Sequence, residues 1–160
     1  MKVLSKVSFI VDLICRHLIS YLLFVIFIAM FIQVTARFVF NTGTFWTDEL
    51  ARFSVIWLVF LGAAVTIKDK SMIKIDLVQN LKPKINGFLN KFKLLYSFIF
   101  SVMLIVIGWQ TMLLVIAQRS PNIGISMSYI YAALPVACII MAFHLLYLLL
   151  QKNKKGEELK

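Results

Sequence analysis

Four apolar stretches, at residues 18–38, 46–67, 94–116 and 130–150, constrain this chain more than anything else in it. Each is close to the ~20 residues that a helix needs to cross the ~30 Å hydrocarbon core of a bilayer. The composition points the same way. Apolar residues make up 61% and charged residues 15%, against about 45–50% and ~25% in soluble domains. The first stretch is longer than the ~7–15-residue core of a signal peptide and lacks a small-residue cleavage site, so it reads as a retained span. The expectation is an all-α integral membrane protein with four transmembrane helices in a single membrane domain over residues 1–160.

The basic residues give the spans a direction. Lys2, Lys6 and Arg16 precede the first span. Lys68, Lys70, Lys74, Lys82, Lys84, Lys91 and Lys93 lie between the second and third, and Lys152, Lys154, Lys155 and Lys160 follow the fourth. These account for most of the 17 Lys and Arg residues. Only Arg37 and Arg119 flank the opposite side, and Arg52 sits within a span. The bias of basic loops toward the cytoplasm predicts an N-in, C-in topology. A formal charge of +10 would suggest nucleic acid if it formed a patch on a polar domain. Dispersed between apolar runs, it argues for the lipid bilayer as partner and against nucleic acid.

The connections fit this layout. Asn41-Thr42-Gly43-Thr44 has the chemistry of a tight turn between the first two spans. Arg119-Ser120-Pro121-Asn122-Ile123-Gly124 breaks the chain after the third. Ser128 is the expected N-cap of the fourth. Two cytoplasmic-side segments, about 3–16 and 73–92, repeat apolar residues at helical spacing (Val3, Val7, Ile10, Val11 and Ile14; Ile85, Phe88, Leu89 and Phe92). They are read as interfacial amphipathic helices that either widen the membrane footprint or position the next span. The charged tail 151–160 is read as disordered.

The second span opens with Trp46-Thr47-Asp48-Glu49-Leu50-Ala51-Arg52. Asp48 and Glu49 lie four and three residues before Arg52, so both can reach it on one helix face. Arg37 lies across the turn at similar depth. The expectation is a neutral network of Arg37, Asp48, Glu49 and Arg52, since charges this close to hydrocarbon need partners. It reads either as a structural clasp that fixes the hairpin and docks a partner, or as an ion or substrate site; the balance of two acids and two bases favours the clasp. Trp46 is an interfacial anchor. Ser54, Gly62 and Thr66 in the second span and Ala133 and Ala137 in the fourth are read as helix-packing positions. Pro135 is expected to kink the fourth span, and Gln110 and Thr111 to bond across helices.

No span carries an acidic residue in its central part, which argues against a self-sufficient proton-coupled antiporter. No nucleotide loop, metal spacing or nucleophile–base pair is present, so the chain is read as a non-enzyme without a cofactor. Cys15 and Cys138 read as unpaired buried thiols. His17 and His144 lie at different depths for the two axial ligands of a haem anchor.

Together, Arg37-Phe38-Val39-Phe40-Asn41, Trp46 to Arg52 and Trp57-Leu58-Val59-Phe60-Leu61-Gly62-Ala63-Ala64 resemble the small membrane subunit (DctQ-type) of tripartite ATP-independent periplasmic (TRAP) transporters. Ile73-Lys74-Ile75-Asp76 is similar to a further segment of that family, with Met72 where a histidine often stands. Ser120-Pro121, Gly124-Ile125, Tyr129, Tyr131 and Pro135 are similar to its approach to the fourth helix. The resemblance implies a bacterial inner-membrane protein that pairs with a large, elevator-type membrane subunit carrying the substrate and sodium sites. It also implies a periplasmic substrate-binding protein that delivers an organic acid, such as a dicarboxylate or a sialic acid. The small subunit would then be static scaffold. The alternatives are a membrane anchor of a redox complex and a small autonomous exporter.

Overall fold

The computed structural model describes residues 2–68 and 83–157, with side chains from 6 to 68 and from 92 to 149. Its elements are α1 (Lys2–Val39), α2 (Phe45–Lys68), α3 (Pro83–Leu114), the single turn α4 (Ser128–Tyr131) and α5 (Ala133–Glu157). Among the described residues there is no strand beyond one isolated bridge, Arg119 with Ser126. Four stretches are long and apolar enough to cross a bilayer: Lys6–Val39, Phe45–Lys68, Phe92–Leu114 and Ser128–Leu149. Across the bundle the order is α1, α2, α5, α3, with α5 touching all the others.

The surface is more apolar than the core. Phe24, Phe27 and Phe31 of α1 are 61–64% exposed, a disposition suited to lipid, which is as apolar as the side chains themselves. The buried positions are enriched in small residues, Ala51, Ala64, Ala133 and Ala137 among them, because close helix approach in a membrane depends on small side chains. Two clusters of larger apolar residues are buried toward one end. There Cys15, Leu61 and Val65 pack with Trp57 and Ile140, and Leu94, Leu145 and Leu148 pack with Ile67 and Phe98. This end is called the Lys68 end below, and the α1–α2 turn marks the tip end.

Two expectations about the helix ends are corrected. Residues 3–16 do not form a separate helix, because α1 runs unbroken through them. Residues 2–39 contain neither Gly nor Pro, so nothing interrupts the backbone ladder. In the same way, the described part of the 73–92 segment is continuous with the span that follows it in α3. Its first residues, 73–82, lie outside the described residues, as do residues 158–160 of the tail. Up to Glu157 the tail continues α5 as helix.

The fourth span departs in detail. Pro135 does not kink it midway. It sits in the first turn of α5, where a missing N–H is tolerated, and the chain breaks at Ala132 before it. Having no N–H to offer Tyr131, Pro135 cannot continue the ladder from α4. Ser128 is not the N-cap either. Met127 occupies that position without a side-chain cap, and the Ser126 hydroxyl accepts from the Ser128 N–H at 3.3 Å.

One close approach of two helices is at a glycine. A Cβ on Gly108 of α3 would stand 3.0 Å from Pro135 Cδ and 3.2 Å from the Leu134 side chain. Pro135 is a rigid, fully buried ring, so it cannot swing aside. Gly108→Val is therefore expected to destabilise the fold by about 1–3 kcal/mol, as overpacking of a close-packed contact does. Thermal unfolding of the detergent-solubilised protein measures it.

Candidate functional site at the two charged ends of the bundle

At the tip end the chain leaves α1 through Asn41, which takes the left-handed conformation at φ +53°, one that asparagine tolerates better than most residues. The Thr42 N–H then reaches back to the Ala36 carbonyl at 3.1 Å. Thr47, fully buried, donates its hydroxyl to the Thr44 carbonyl at 2.7 Å and lies 3.0 Å from the Thr44 hydroxyl. These contacts fix the start of α2 and with it the charged residues of its first two turns.

The four expected clasp residues are not one network. Arg52 pairs with Asp48 one turn earlier, at 2.7 Å, on an exposed face. Glu49 does not join them. It is buried and accepts the backbone N–H groups of Asn122 and Ile123, both at 3.1 Å. Arg37 has no ion-pair partner among the described residues, although it lines a cavity of about 680 Å³ together with Asp48. The reason is geometric. Asp48 and Glu49 are adjacent on a helix and so point about 100° apart. One faces Arg52, while the other faces the segment before α4.

That segment is built to receive a carboxylate. Residues 118–127 fold back on themselves, with Ser120 N–H donating to Ile125 O at 2.8 Å and Met127 N–H to Gln118 O at 2.9 Å. Gly124 sits at φ +77°, a conformation costly for any side chain, and its N–H donates to Ser120 O at 3.0 Å. The Ser120 hydroxyl accepts from Ile123 N–H at 3.3 Å, and Arg119 donates to Gly124 O at 3.2 Å. The turn thus presents two successive N–H groups in one direction, and an anion fills such a concavity. Glu49 thereby ties α2 to the connection between α3 and α5.

The Lys68 end holds a second cluster that the sequence reading passed over. Asp12 of α1 is 6% exposed, yet its Oδ2 receives Lys68 Nζ of α2 at 2.9 Å and Arg16 Nε at 3.1 Å. The Lys68 ammonium also lies 5.2 Å from the centre of the Phe9 ring, within cation–π range. One turn before Asp12, Ser8 Oγ lies 3.1 Å from Nδ1 of the fully buried His144 of α5. Three helices are therefore joined by polar contacts here. The i, i+4 spacing of Asp12 and Arg16 was the available signal, whereas nothing in the sequence marks Lys68, 56 positions away, as the second partner.

The remaining sites divide between inward and outward positions. Ala133 and Ala137 are fully buried and Ser54 is buried, its hydroxyl donating to Leu50 O at 2.8 Å. Thr66 donates to Gly62 O at 2.7 Å, while a Cβ on Gly62 would meet nothing within 4 Å, so that face of α2 is open. Trp46 borders an apolar groove with Ala29, Ile32 and Leu50. Thr111 donates to Ile107 O of its own helix and Gln110 is exposed, so neither makes the expected bond across helices. His17 donates Nδ1–H to Leu13 O on the exposed side of α1, unlike the buried His144. Cys15 and Cys138 are buried free thiols.

Known proteins give this architecture a place. Residues 26–154 match the family described as tripartite ATP-independent periplasmic transporters, DctQ component. The sialic acid TRAP transporter permease protein SiaT of Haemophilus influenzae is 34% identical over 123 residues, which cover 74% of this chain and 20% of SiaT. The isethionate TRAP transporter permease protein DctMQ of Oleidesulfovibrio alaskensis is 32% identical over 106 residues, 63% of this chain and 16% of that protein. The sialic acid TRAP transporter small permease protein SiaQ of Vibrio cholerae is 28% identical over 117 residues, 69% of this chain and 65% of SiaQ. The chain thus spans a fifth or less of the first two relatives and about two thirds of the third. With four helices able to span a bilayer and a family match over most of its length, this multi-pass membrane protein belongs to the DctQ component family of TRAP transporters, as their small permease subunit.

Proposed function

We propose that the chain is the scaffold subunit of a sodium-coupled TRAP transporter for an organic acid of the sialic acid or dicarboxylate type. In this reading it supports a large elevator-type membrane subunit, binds no solute itself and catalyses no reaction. A periplasmic substrate-binding protein delivers the solute to the assembled transporter. The chain sits in the bacterial inner membrane with both termini cytoplasmic, which places Asp12 and Lys68 on the cytoplasmic side and the 40–44 turn on the periplasmic side.

The observation that carries this reading is how the buried charges are used. Asp12 and Glu49 are each engaged by groups of another helix or loop, an arrangement that fixes helices in place. A subunit that stays still while its partner moves needs such ties. Arg52 on the exposed face of α2, together with the open face at Gly62, is proposed to meet the partner. The sialic acid and isethionate named for the relatives are both organic acid anions, which favours that solute class here.

The test is affinity purification of the tagged chain from its native host after gentle solubilisation. Stoichiometric recovery of one large multi-span protein, with uptake of the organic acid lost when this chain is deleted, is the expected result. Recovery of a lone homo-oligomer that transports after reconstitution, or of redox subunits with a haem absorption spectrum, would overturn it.

A further inference from the structure

We propose that the tip of the α1–α2 hairpin carries a binding site for the phosphate group of a membrane phospholipid, with Arg37 as its principal ligand. The inference begins with charge. Arg37, Asp48, Glu49 and Arg52 would sum to zero if they faced one another. The structure removes Glu49 from the set, because its carboxylate is buried against the Asn122 and Ile123 amides. Asp48 remains, but Arg52 already lies on it at 2.7 Å. Of the set, the Arg37 guanidinium is left with no ion-pair partner among the described residues. A cation at the end of two apolar helices attracts an anion, and a guanidinium fork matches phosphate oxygens.

The space is present and has the right chemistry. Arg37 and Asp48 stand on the wall of a cavity of about 680 Å³, with Gln33, Asn41, Thr42 and Thr44 as further polar lining. Gln33 Oε1 is buried there without a hydrogen-bond partner among the described residues. A headgroup that brings hydroxyl or ammonium donors along with its phosphate would satisfy it, and the Asp48 carboxylate faces the same donors.

The rim identifies the source of the phosphate. Phe38 and Phe45 line the same cavity and are 77% and 73% exposed, which provides an apolar border for acyl chains beside the guanidinium. A free phosphate ion would make no use of that border.

Native mass spectrometry of the purified full-length chain, titrated with dioctanoyl phosphatidylglycerol, tests the site. The wild type is expected to bind one lipid saturably, and Arg37→Gln to bind it at least about tenfold more weakly, the scale of one lost charge-assisted contact. Arg37→Lys is expected to fall between them. Equal binding by wild type and Arg37→Gln would overturn the proposal, as would inorganic phosphate competing at concentrations comparable to the lipid, which would assign a free anion instead. A second measurement does not depend on the stability of the Arg37 variants. Photocrosslinking from Phe38→p-benzoylphenylalanine in native membranes is expected to yield a phospholipid adduct. An adduct to a polypeptide instead would assign the tip to a protein partner and overturn the lipid site.

Discussion

Asp12→Ala is expected to lower the thermal midpoint of the solubilised protein by roughly 5–10 °C, the largest effect of any single charge removal in the described residues. The carboxylate is almost fully buried and holds two cations from different positions. Removing it leaves Lys68 and Arg16 facing each other with no anion between them. Breaking a buried pair in this way costs about 3–5 kcal/mol. The partners here are partly exposed, 21% of the Lys68 and 46% of the Arg16 side chain, so about 2–3 kcal/mol is the better expectation. Asp12→Asn should fall between, since an amide oxygen can still accept. The reporter is close by. Cys15 is 3% exposed in the cluster just beyond Asp12, and its rate of maleimide labelling should rise in Asp12→Ala. A double-mutant cycle with Lys68→Ala isolates the pair, and a coupling indistinguishable from zero would show that the contact contributes nothing to stability.

Glu49→Ala should release the connection between α3 and α5 from α2. Two backbone amides lose their only described acceptor other than Ser120, and both belong to a turn held otherwise by its own short bonds. Hydrogen exchange at Asn122 and Ile123 is therefore expected to accelerate by at least about tenfold, as a local opening rather than global unfolding. Glu49→Gln keeps one acceptor oxygen but loses the charge, so its effect should be smaller, because hydrogen bonds to an ionised acceptor are about twice as strong as neutral ones. Arg52→Gln removes a side chain whose one ion-pair partner among the described residues is Asp48, on an exposed face, and should leave those two amides unchanged. If all three variants exchange alike, the tie assigned to Glu49 is absent.

These two residues also mark the limit of what could be read from the sequence. The four spans were legible because ~20 apolar residues in a row have few alternatives. The hairpin was legible from Asn41-Thr42-Gly43-Thr44, and Asn41 does take the left-handed turn. The destination of Glu49 was not, because its partners are backbone amides 73 and 74 residues away, and every residue but proline carries such an amide. Side-chain chemistry at helical spacing offered Arg52 instead, and the structure gave that arginine to Asp48 alone. Asp12 was hidden differently. In an amphipathic stretch that also carries Lys2, Lys6 and Arg16 nothing sets it apart from a solvated charge, and Lys68 reads as a signal of orientation. Only the antiparallel packing of α1 on α2 brings them together. Gly108 escaped for a related reason: a glycine in an apolar helix identifies a close approach only once the facing Pro135 is known.

The spacing of the charges along α2 has a consequence for the membrane in which this chain can work. Asp48 and Lys68 lie twenty residues apart on one unbroken helix, about 30 Å by helix rise. That is the thickness of an average hydrocarbon core. Each end is held to a neighbour, one by Glu49 beside Asp48 and the other by Asp12, so neither charge can slide along the membrane normal without the whole hairpin moving. Such a rod acts as a gauge. In a bilayer of longer acyl chains one charged level must sink into hydrocarbon or the lipids must compress around it; in a thinner bilayer the helices must tilt. The assembled transporter should accordingly be most stable at one acyl-chain length and decline on either side of it.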